Sequence, residues 1–189
     1  MKAKEFAEKW LGDKLITFDY DIMKGLNLNE KDCEILSKYG LPEGASPYLN
    51  FEKIDMNSLE FVEEDYFYLG YTGNGDWICI NTKSGELIII EHDDYEDNDY
   101  EDGDYEDEQY EDEEECEDYD YEGFTFLNSS LEALYECLLS YEEFIQKRLK
   151  QGTDQYYAEV NNLKNVFMNI DKKAMHREDG FWYGELNSL

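Results

Sequence analysis

The sequence has few of the residues that enzymes use for acid–base or metal chemistry. It contains only two histidines, His92 and His176. His92 ends an apolar run next to Asp93, where an exposed or structural position is expected. His176 stands beside Arg177 at the end of the last long amphipathic stretch, where a cation is favourable against a helix dipole. We therefore expect no catalytic residue, no metal site and no cofactor, and we predict that the chain is not an enzyme.

Cysteine pairs and long apolar runs are also missing. The four cysteines, at positions 33, 79, 116 and 137, lie far apart and form no C-x-x-C pair, so we expect reduced, mostly buried thiols. No window approaches 18 consecutive apolar residues, which predicts that no helix spans a membrane. The first 13 residues mix charges and lack an apolar segment, so no signal peptide is expected. The predicted compartment is the cytoplasm.

Positive charge is scarce, and negative charge is concentrated in one segment. The chain has 16 Lys and Arg against 48 Asp and Glu, a formal net charge of −32. Residues 94–122 contain 19 of the acids and no basic residue, and the rest of the chain still carries about −13. Such a charge repels nucleic acids and anionic lipids and attracts basic proteins. The expected partner is a basic protein.

The acidic segment 94–122 is a low-complexity repeat. Its core reads YEDND, YEDGD, YEDEQ and YEDEE from residue 95 to residue 114. A period of five fits neither a helix nor a strand, and neighbouring like charges resist a compact form. We expect a disordered loop that steers a basic partner by charge and contacts it through its aromatic side chains. The residues predicted to bind the partner are Tyr95, Tyr100, Tyr105, Tyr110, Asp97, Asp102, Asp107 and Glu111.

The same segment superficially resembles an EF-hand calcium loop. With Gly103 at the sixth position of that loop, Asn98 falls first and Tyr100 third. A phenol would then replace a required oxygen ligand, and flanking helices are not predicted. The segment is more consistent with diffuse cation binding or with a solvated spacer than with a specific calcium site.

Helical periodicity marks four stretches, which are residues 1–10, 30–39, about 129–148 and 154–176. Asn29 is placed to cap the second helix, and residues 41–44 are expected to form its exit and a turn. Asn128 or Ser129 is expected to cap the third. The last stretch is predicted to be one C-terminal helix. The aromatic tail FWYGEL, from Phe181 to Leu186, is predicted to pack as an added strand or an anchor.

Runs rich in β-branched and aromatic residues predict the strands. DYFYLGYTG, DWICINT and ELIIIEHDD are separated by short glycine-containing connections, a pattern typical of an antiparallel meander. Gly73, Gly75 and Asp76 form the first hairpin turn, and the spacing of the glycines does not match a phosphate-binding loop. Further strands are expected near Leu15, within residues 47–56 and after Gly123. The fold class is therefore α+β, with a central antiparallel sheet flanked by helices and a disordered acidic loop insertion.

The order of these segments resembles the SUKH superfamily of bacterial immunity proteins, in its branch related to the fungal Smi/Knr proteins. The resemblance spans about residues 28–145 without the insert, and it rests on YLGYTGNGD, WICIN, GELIIIEHD and LNSSLEAL. It implies a single SUKH-like domain over residues 1–189, with the insert at 94–122 and a C-terminal helix at 154–176. The long insert and the extra helix depart from the family pattern.

The resemblance also implies a function. A SUKH immunity protein neutralises a cognate polymorphic toxin, often a nuclease, by binding it directly. An acidic protein could occupy the cationic cleft of a nuclease as a charge mimic. The alternatives are an acidic scaffold or regulatory module for basic proteins, and a chaperone for basic clients. An immunity protein binds one toxin tightly, whereas a scaffold or chaperone binds several partners weakly and with steep salt dependence.

Overall fold

A computed structural model describes residues 2–12, 14–53, 65–91, 123–148 and 156–189. Its helices are α1 (Lys2–Lys9), α2 (Tyr20–Gly25), α3 (Glu30–Lys38), α4 (Leu131–Arg148), α5 (Tyr156–Ile170), α6 (Lys172–His176) and α7 (Phe181–Ser188). Its strands are β1 (Leu15–Ile16), β2 (Leu41–Pro42), β3 (Gly44–Ala45), β4 (Leu49–Phe51), β5 (Tyr66–Thr72), β6 (Trp77–Asn81), β7 (Leu87–Ile90) and β8 (Phe124–Asn128). The α+β class is thus confirmed.

The central sheet has six antiparallel strands in the order β3-β4-β5-β6-β7-β8, so neighbours in the chain are neighbours in the sheet. The three strands predicted as a meander are β5, β6 and β7. In the register, Trp77 lies between Tyr71 and Ile90, and Ile90 pairs with Phe124. The β5–β6 turn therefore lies at the same end of the sheet as the last residue of β7 and the first residue of β8.

One face of this sheet forms the hydrophobic core with the helices. Alternation along the strands turns Phe67, Leu69, Ile78 and Ile80 toward that core, where each is almost fully buried. Helix α4 contacts α1, α5 and β8, and its buried Tyr135 donates a hydrogen bond to the carbonyl of Gly40 at 2.6 Å. The core thus joins the N-terminal helices to the sheet through α4.

Local signals predicted some element starts correctly. The Asn29 side chain accepts a hydrogen bond from the Asp32 amide at 3.0 Å, so Asn29 caps α3 as expected. Helix α1 and the strand near Leu15 are also present. The exit of α3 differs from the prediction, because Leu41 and Pro42 form β2 and pair with β1. Helix α2 was not predicted.

The C-terminal region differs more from the expectation. The predicted single helix over 154–176 is two helices, α5 and α6, because Asp171 interrupts it and caps α6 by accepting from the Ala174 amide. The tail FWYGEL is an anchor, since Trp182 is fully buried, but it forms helix α7 and not a strand. The cap of α4 is also different. The Ser130 hydroxyl accepts from the Ala133 amide, and Asn128 ends strand β8.

Asn128 and Ser129 instead belong to a buried polar cluster around Asp171. One Asp171 oxygen accepts from Asn128 Nδ2 at 3.2 Å and from the Ser129 amide at 2.7 Å. The other accepts from the Ser129 hydroxyl at 2.8 Å and the Ala174 amide at 3.3 Å. The side-chain oxygen of Asn128, Oδ1, accepts a hydrogen bond from Trp182 Nε1 at 2.9 Å. This Asp171 cluster fixes α6 and α7 against the end of β8.

Candidate partner-binding surface

The β5–β6 hairpin turn predicted from the sequence is built by Gly73, Gly75 and Asp76. Gly75 has a φ of +95°, a left-handed conformation that glycine adopts without strain. The Thr72 amide donates to the Asp76 carbonyl at 2.8 Å, and the Thr72 hydroxyl donates to the Asp76 carboxylate at 3.0 Å. Gly73 has another purpose, because a Cβ there would lie 3.1 Å from the Cβ of Tyr48. Gly73 thus leaves room for Tyr48.

The predicted partner-binding residues of the acidic segment lie outside the described residues. These are Tyr95, Tyr100, Tyr105, Tyr110, Asp97, Asp102, Asp107 and Glu111. Glu91 and Gly123 are the described residues that flank the segment, and the Glu91 amide donates a hydrogen bond to the Gly123 carbonyl at 3.0 Å. The insert therefore leaves and re-enters the fold at one place, at the end of the sheet that carries the β5–β6 turn.

The large apolar side chains that the described residues expose are few. They are Leu11, Tyr48, Tyr71 and Tyr157, with 86%, 73%, 38% and 78% of their surface exposed. Leu11 is a chain neighbour of Trp10 and Gly12, which line one open cleft, and Tyr48 lines the same cleft. Tyr71 pairs in the sheet with Asn50, which also lines it. An interface rich in tyrosine gains binding energy from such side chains, so the cleft is the best candidate for contact with a partner.

The cleft has a volume of about 480 Å³ and is open to solvent. It runs between the β3–β4 edge of the sheet, the second half of α4 and the ends of α1 and α7. We call it the tyrosine cleft and define it by the lining residues Trp10, Tyr48, Tyr141, Glu142, Arg148 and Glu185. The lining comes from four separate parts of the chain, so no local sequence pattern reveals the cleft.

The floor of the tyrosine cleft is a phenol–carboxylate pair. Tyr141, with 3% of its surface exposed, donates from its hydroxyl to Glu185 Oε1 at 2.9 Å. Burial raises the pKa of the Tyr141 phenol above its ordinary value, and its hydrogen bond to Glu185 raises that pKa further. The phenol therefore stays neutral and holds the carboxylate in place.

Tyr156 lies next to the tyrosine cleft and contacts two of the residues that line it, Arg148 and Leu189. The Tyr156 hydroxyl donates to the Leu189 carbonyl at 2.7 Å and so joins the start of α5 to the end of α7. The Arg148 guanidinium lies over the Tyr156 ring, 4.9 Å from its centroid. A cation stacked on an aromatic face is therefore already present beside the cleft.

Tyr48 is the most unusual residue of the tyrosine cleft. It is a bulky residue with a φ of +59°, in the left-handed region that such side chains rarely adopt. Conformations of this kind cost free energy and persist where surrounding structure or function requires them. Because 73% of Tyr48 is exposed, little burial within the chain offsets that cost. The exposed ring is thus available to a partner.

The outward face of the sheet carries a second aromatic group. The rings of Tyr66 and Phe124 contact each other in a tilted arrangement, with centroids 5.5 Å apart and planes at 43°. The hydroxyl of Tyr68 donates to Glu52 Oε1 at 2.7 Å. These side chains are half-buried and engage one another or a neighbouring strand. They offer less free aromatic surface than the tyrosine cleft.

The thiols of the described residues are all buried, which confirms the expectation for Cys33, Cys79 and Cys137. Burial raises the pKa of each of these thiols, that of Cys79 to about 12. Cys116 and His92 lie outside the described residues, and His176 is exposed at the end of α6. Within the described ranges, His, Cys, Asp and Glu form no group that could hold a metal ion. The described helices likewise include none with the length and hydrophobicity needed to cross a membrane.

Comparison with protein-family models matches the SUKH-4 immunity protein family over residues 2–188. The chain belongs to this family. The match covers nearly the whole chain. It includes the C-terminal helices, which lie outside the segments that carry the sequence resemblance. Searches of curated proteins and of solved structures found no significant match. Family membership shows that this chain is an immunity protein by class, whose partner in that class is a toxin.

Proposed function

We propose that this chain neutralises one cognate polymorphic toxin by direct, stoichiometric binding in the cytoplasm. The observation that carries the proposal is the SUKH-4 match over residues 2–188. The open cleft with the exposed ring of Tyr48 supports it, because such a surface suits protein recognition. On this proposal the chain blocks its partner without turning over a substrate.

The toxin is a basic protein, and we propose that it is a nuclease. A formal net charge of −32 supports this choice, since an enzyme that binds phosphates presents a cationic surface. Complementary charge raises association rates by a factor of about 10 to 10³. In this proposal the acidic segment steers the encounter. Its tyrosines and carboxylates at Tyr95, Tyr100, Tyr105, Tyr110, Asp97, Asp102, Asp107 and Glu111 contribute contacts.

A second candidate function is an acidic scaffold or regulatory module for basic proteins. The repetitive acidic segment favours it, because a charge repeat can attract many partners without selecting one. The two functions differ in selectivity and salt dependence. A toxin antagonist retains its one partner at physiological salt, whereas a scaffold loses weak partners when the charges are screened.

The test uses a candidate toxin, a basic protein captured with the full chain from its native organism at physiological salt. That toxin is produced in a bacterial host with the full chain, with a version lacking residues 94–122, or with neither, and survival is scored. Calorimetry then measures binding of the purified toxin to both versions at physiological salt. We expect the full chain to protect the host and to bind with nanomolar affinity or better. Lack of protection together with weak, salt-sensitive binding would favour the scaffold.

The version lacking residues 94–122 distinguishes binding by the acidic segment from binding by the folded part of the chain. If the acidic segment only steers, deleting residues 94–122 slows association by about tenfold or more and leaves the dissociation rate unchanged. If the segment makes the main contacts, the dissociation rate rises and protection is lost.

A further inference from the structure

We infer that the tyrosine cleft receives an arginine side chain of the toxin. The inference rests on the proposed function, and it names the chemistry of the group that enters this surface. The shape of the cleft, its hydrogen-bond acceptors and its charge all suit this side chain.

The shape suits a long side chain from a partner. The tyrosine cleft has a volume of about 480 Å³, within the range of about 300 to 1,000 Å³ typical of binding pockets. Tyr48 stands at its edge with 73% of its surface exposed. A planar guanidinium can stack on such a ring, and its three-carbon stem can pack along the adjacent apolar wall. The exposed ring thus offers a specific contact to an incoming side chain.

The acceptors of the cleft have spare capacity. Glu185 Oε1 accepts from Tyr141 at 2.9 Å, and Glu142 Oε1 accepts from Gln146 at 2.9 Å. Within the described residues, the second oxygen of each carboxylate has no hydrogen-bond partner, and neither carboxylate has an ion-pair partner. A guanidinium brings five N–H donors in a fixed fork, which suits carboxylate oxygens fixed in this way.

The charge of the cleft favours a cation. Glu142 and Glu185 outnumber the single basic residue of the lining, Arg148, which is stacked on Tyr156. The net charge of −32 on the whole chain adds a long-range attraction for basic groups. Arginine is favoured over lysine because it combines stacking with bidentate hydrogen bonding and is more weakly hydrated.

The test titrates the full chain with Nα-acetyl-arginine methylamide at physiological salt and follows backbone amides by NMR. The citrulline analogue, which has the same shape without the charge, and the lysine analogue are the reference probes. We expect saturable shifts at the cleft amides near Tyr48, Tyr141 and Glu185 with the arginine probe. The lysine probe should bind several-fold more weakly, and the citrulline probe should give no saturable shift there.

Matched variants locate the binding. Glu185→Gln keeps an acceptor for Tyr141 but removes the charge, and we expect it to weaken the arginine probe about tenfold. Tyr48→Ala should weaken it about threefold. The controls are Glu34→Gln, on an exposed face of α3, and Tyr157→Ala, which is as exposed as Tyr48 but does not line the cleft. Both controls should bind as the unmodified chain does.

Three results would overturn the inference. These are an absence of saturable cleft shifts, equal binding of the citrulline probe, or Glu185→Gln and Tyr48→Ala variants that bind as their controls do. None of these experiments contains the toxin, so their failure leaves the proposed function standing. Conversely, an arginine probe that binds the cleft while the toxin fails to bind the full chain would contradict the proposed function alone.

Discussion

The Asp171 cluster and the tyrosine cleft use similar side chains in opposite ways. In the Asp171 cluster, one carboxylate, one amide and one indole are buried, and both Asp171 oxygens accept two hydrogen bonds each. In the tyrosine cleft, Glu185 has used only one oxygen, and Tyr48 exposes most of its ring despite a left-handed backbone. The first arrangement stabilises the fold. The second leaves hydrogen-bond acceptors and exposed aromatic surface that a partner can use.

The largest effect is expected from removing the aromatic member of the Asp171 cluster. Trp182 is fully buried, lies 4.9 Å from the Phe167 ring, and donates to Asn128. Trp182→Ala should lower the free energy of unfolding by about 3–5 kcal/mol, because it creates a cavity and leaves the Asn128 carbonyl unpaired. Denaturant unfolding followed by circular dichroism measures it. Tyr183→Ala, half-exposed on the same helix, is the control, and an equal loss in both variants would contradict this account.

A smaller loss is expected from removing the carboxylate itself. Asp171→Ala deprives Asn128, Ser129 and Ala174 of an acceptor in a buried site. We expect the free energy of unfolding to fall by about 2–3 kcal/mol, again measured by denaturant unfolding. The exposed Asp179, which pairs only with Arg177 across one turn, supplies the matched control, Asp179→Ala. The free energy of unfolding of Asp179→Ala should change by no more than about 0.5 kcal/mol. A loss as large as that of Asp171→Ala would contradict the assigned role of the buried carboxylate.

In the tyrosine cleft, a substitution at Tyr48 should increase the free energy of unfolding, whereas the two changes in the Asp171 cluster lower it. Asn tolerates a left-handed backbone better than Tyr does, so Tyr48→Asn should raise the free energy of unfolding by about 0.5–1 kcal/mol. The same variant should bind the toxin more weakly. Thermal unfolding and calorimetry on one preparation measure both quantities. A variant that loses stability would show that Tyr48 serves the fold, and the contrast between the two regions would then fail.

The smallest effect concerns Asp32, a buried acid with fewer partners than Asp171. Its carboxylate accepts a hydrogen bond from the side-chain amide, Nδ2, of Asn29, and burial raises the pKa of Asp32. The charged form is therefore disfavoured in the folded state at neutral pH. As the pH falls through the raised pKa toward the unfolded value near 4, this cost disappears.

Asp32→Asn should accordingly be more stable than the unmodified chain at pH 7, by about 0.5 kcal/mol. The two proteins should be equally stable near pH 4. Unfolding curves across this range measure the difference, with the exposed Glu34→Gln as the control. A difference that grows as the pH falls would contradict the assigned direction of the pKa shift.

The sequence predicted the elements that local signals encode. Asn29 lies directly before a helical run and caps it. In the β5–β7 meander, apolar and polar residues alternate and glycines mark the turns, so residues close in sequence are enough to predict these strands. It did not predict the break at Asp171 or the helical state of the tail. The Asp171 carboxylate finds its partners 42 and 43 residues earlier in the chain, and periodicity carries no information about such contacts.

The tyrosine cleft was missed for a related reason. Its lining residues come from positions 10–12, 44–50, 141–148 and 185–189, and none of those stretches has a motif. The exposed ring of Tyr48 depends on Gly73 in a different hairpin, where a side chain would crowd it. The sequence instead directed attention to the acidic repeat, because composition is visible without a structure. Its role in binding stays a prediction.

The central claim is that this immunity protein binds its toxin through the tyrosine cleft, and one double-mutant cycle tests it most directly. Dissociation rates are measured for the toxin with the full chain, with Glu185→Gln, with one arginine of the toxin changed to alanine, and with both changes. The account predicts that for one arginine the two single changes each speed dissociation by about tenfold, and that the double change adds little more. Fully additive effects for every toxin arginine would contradict it.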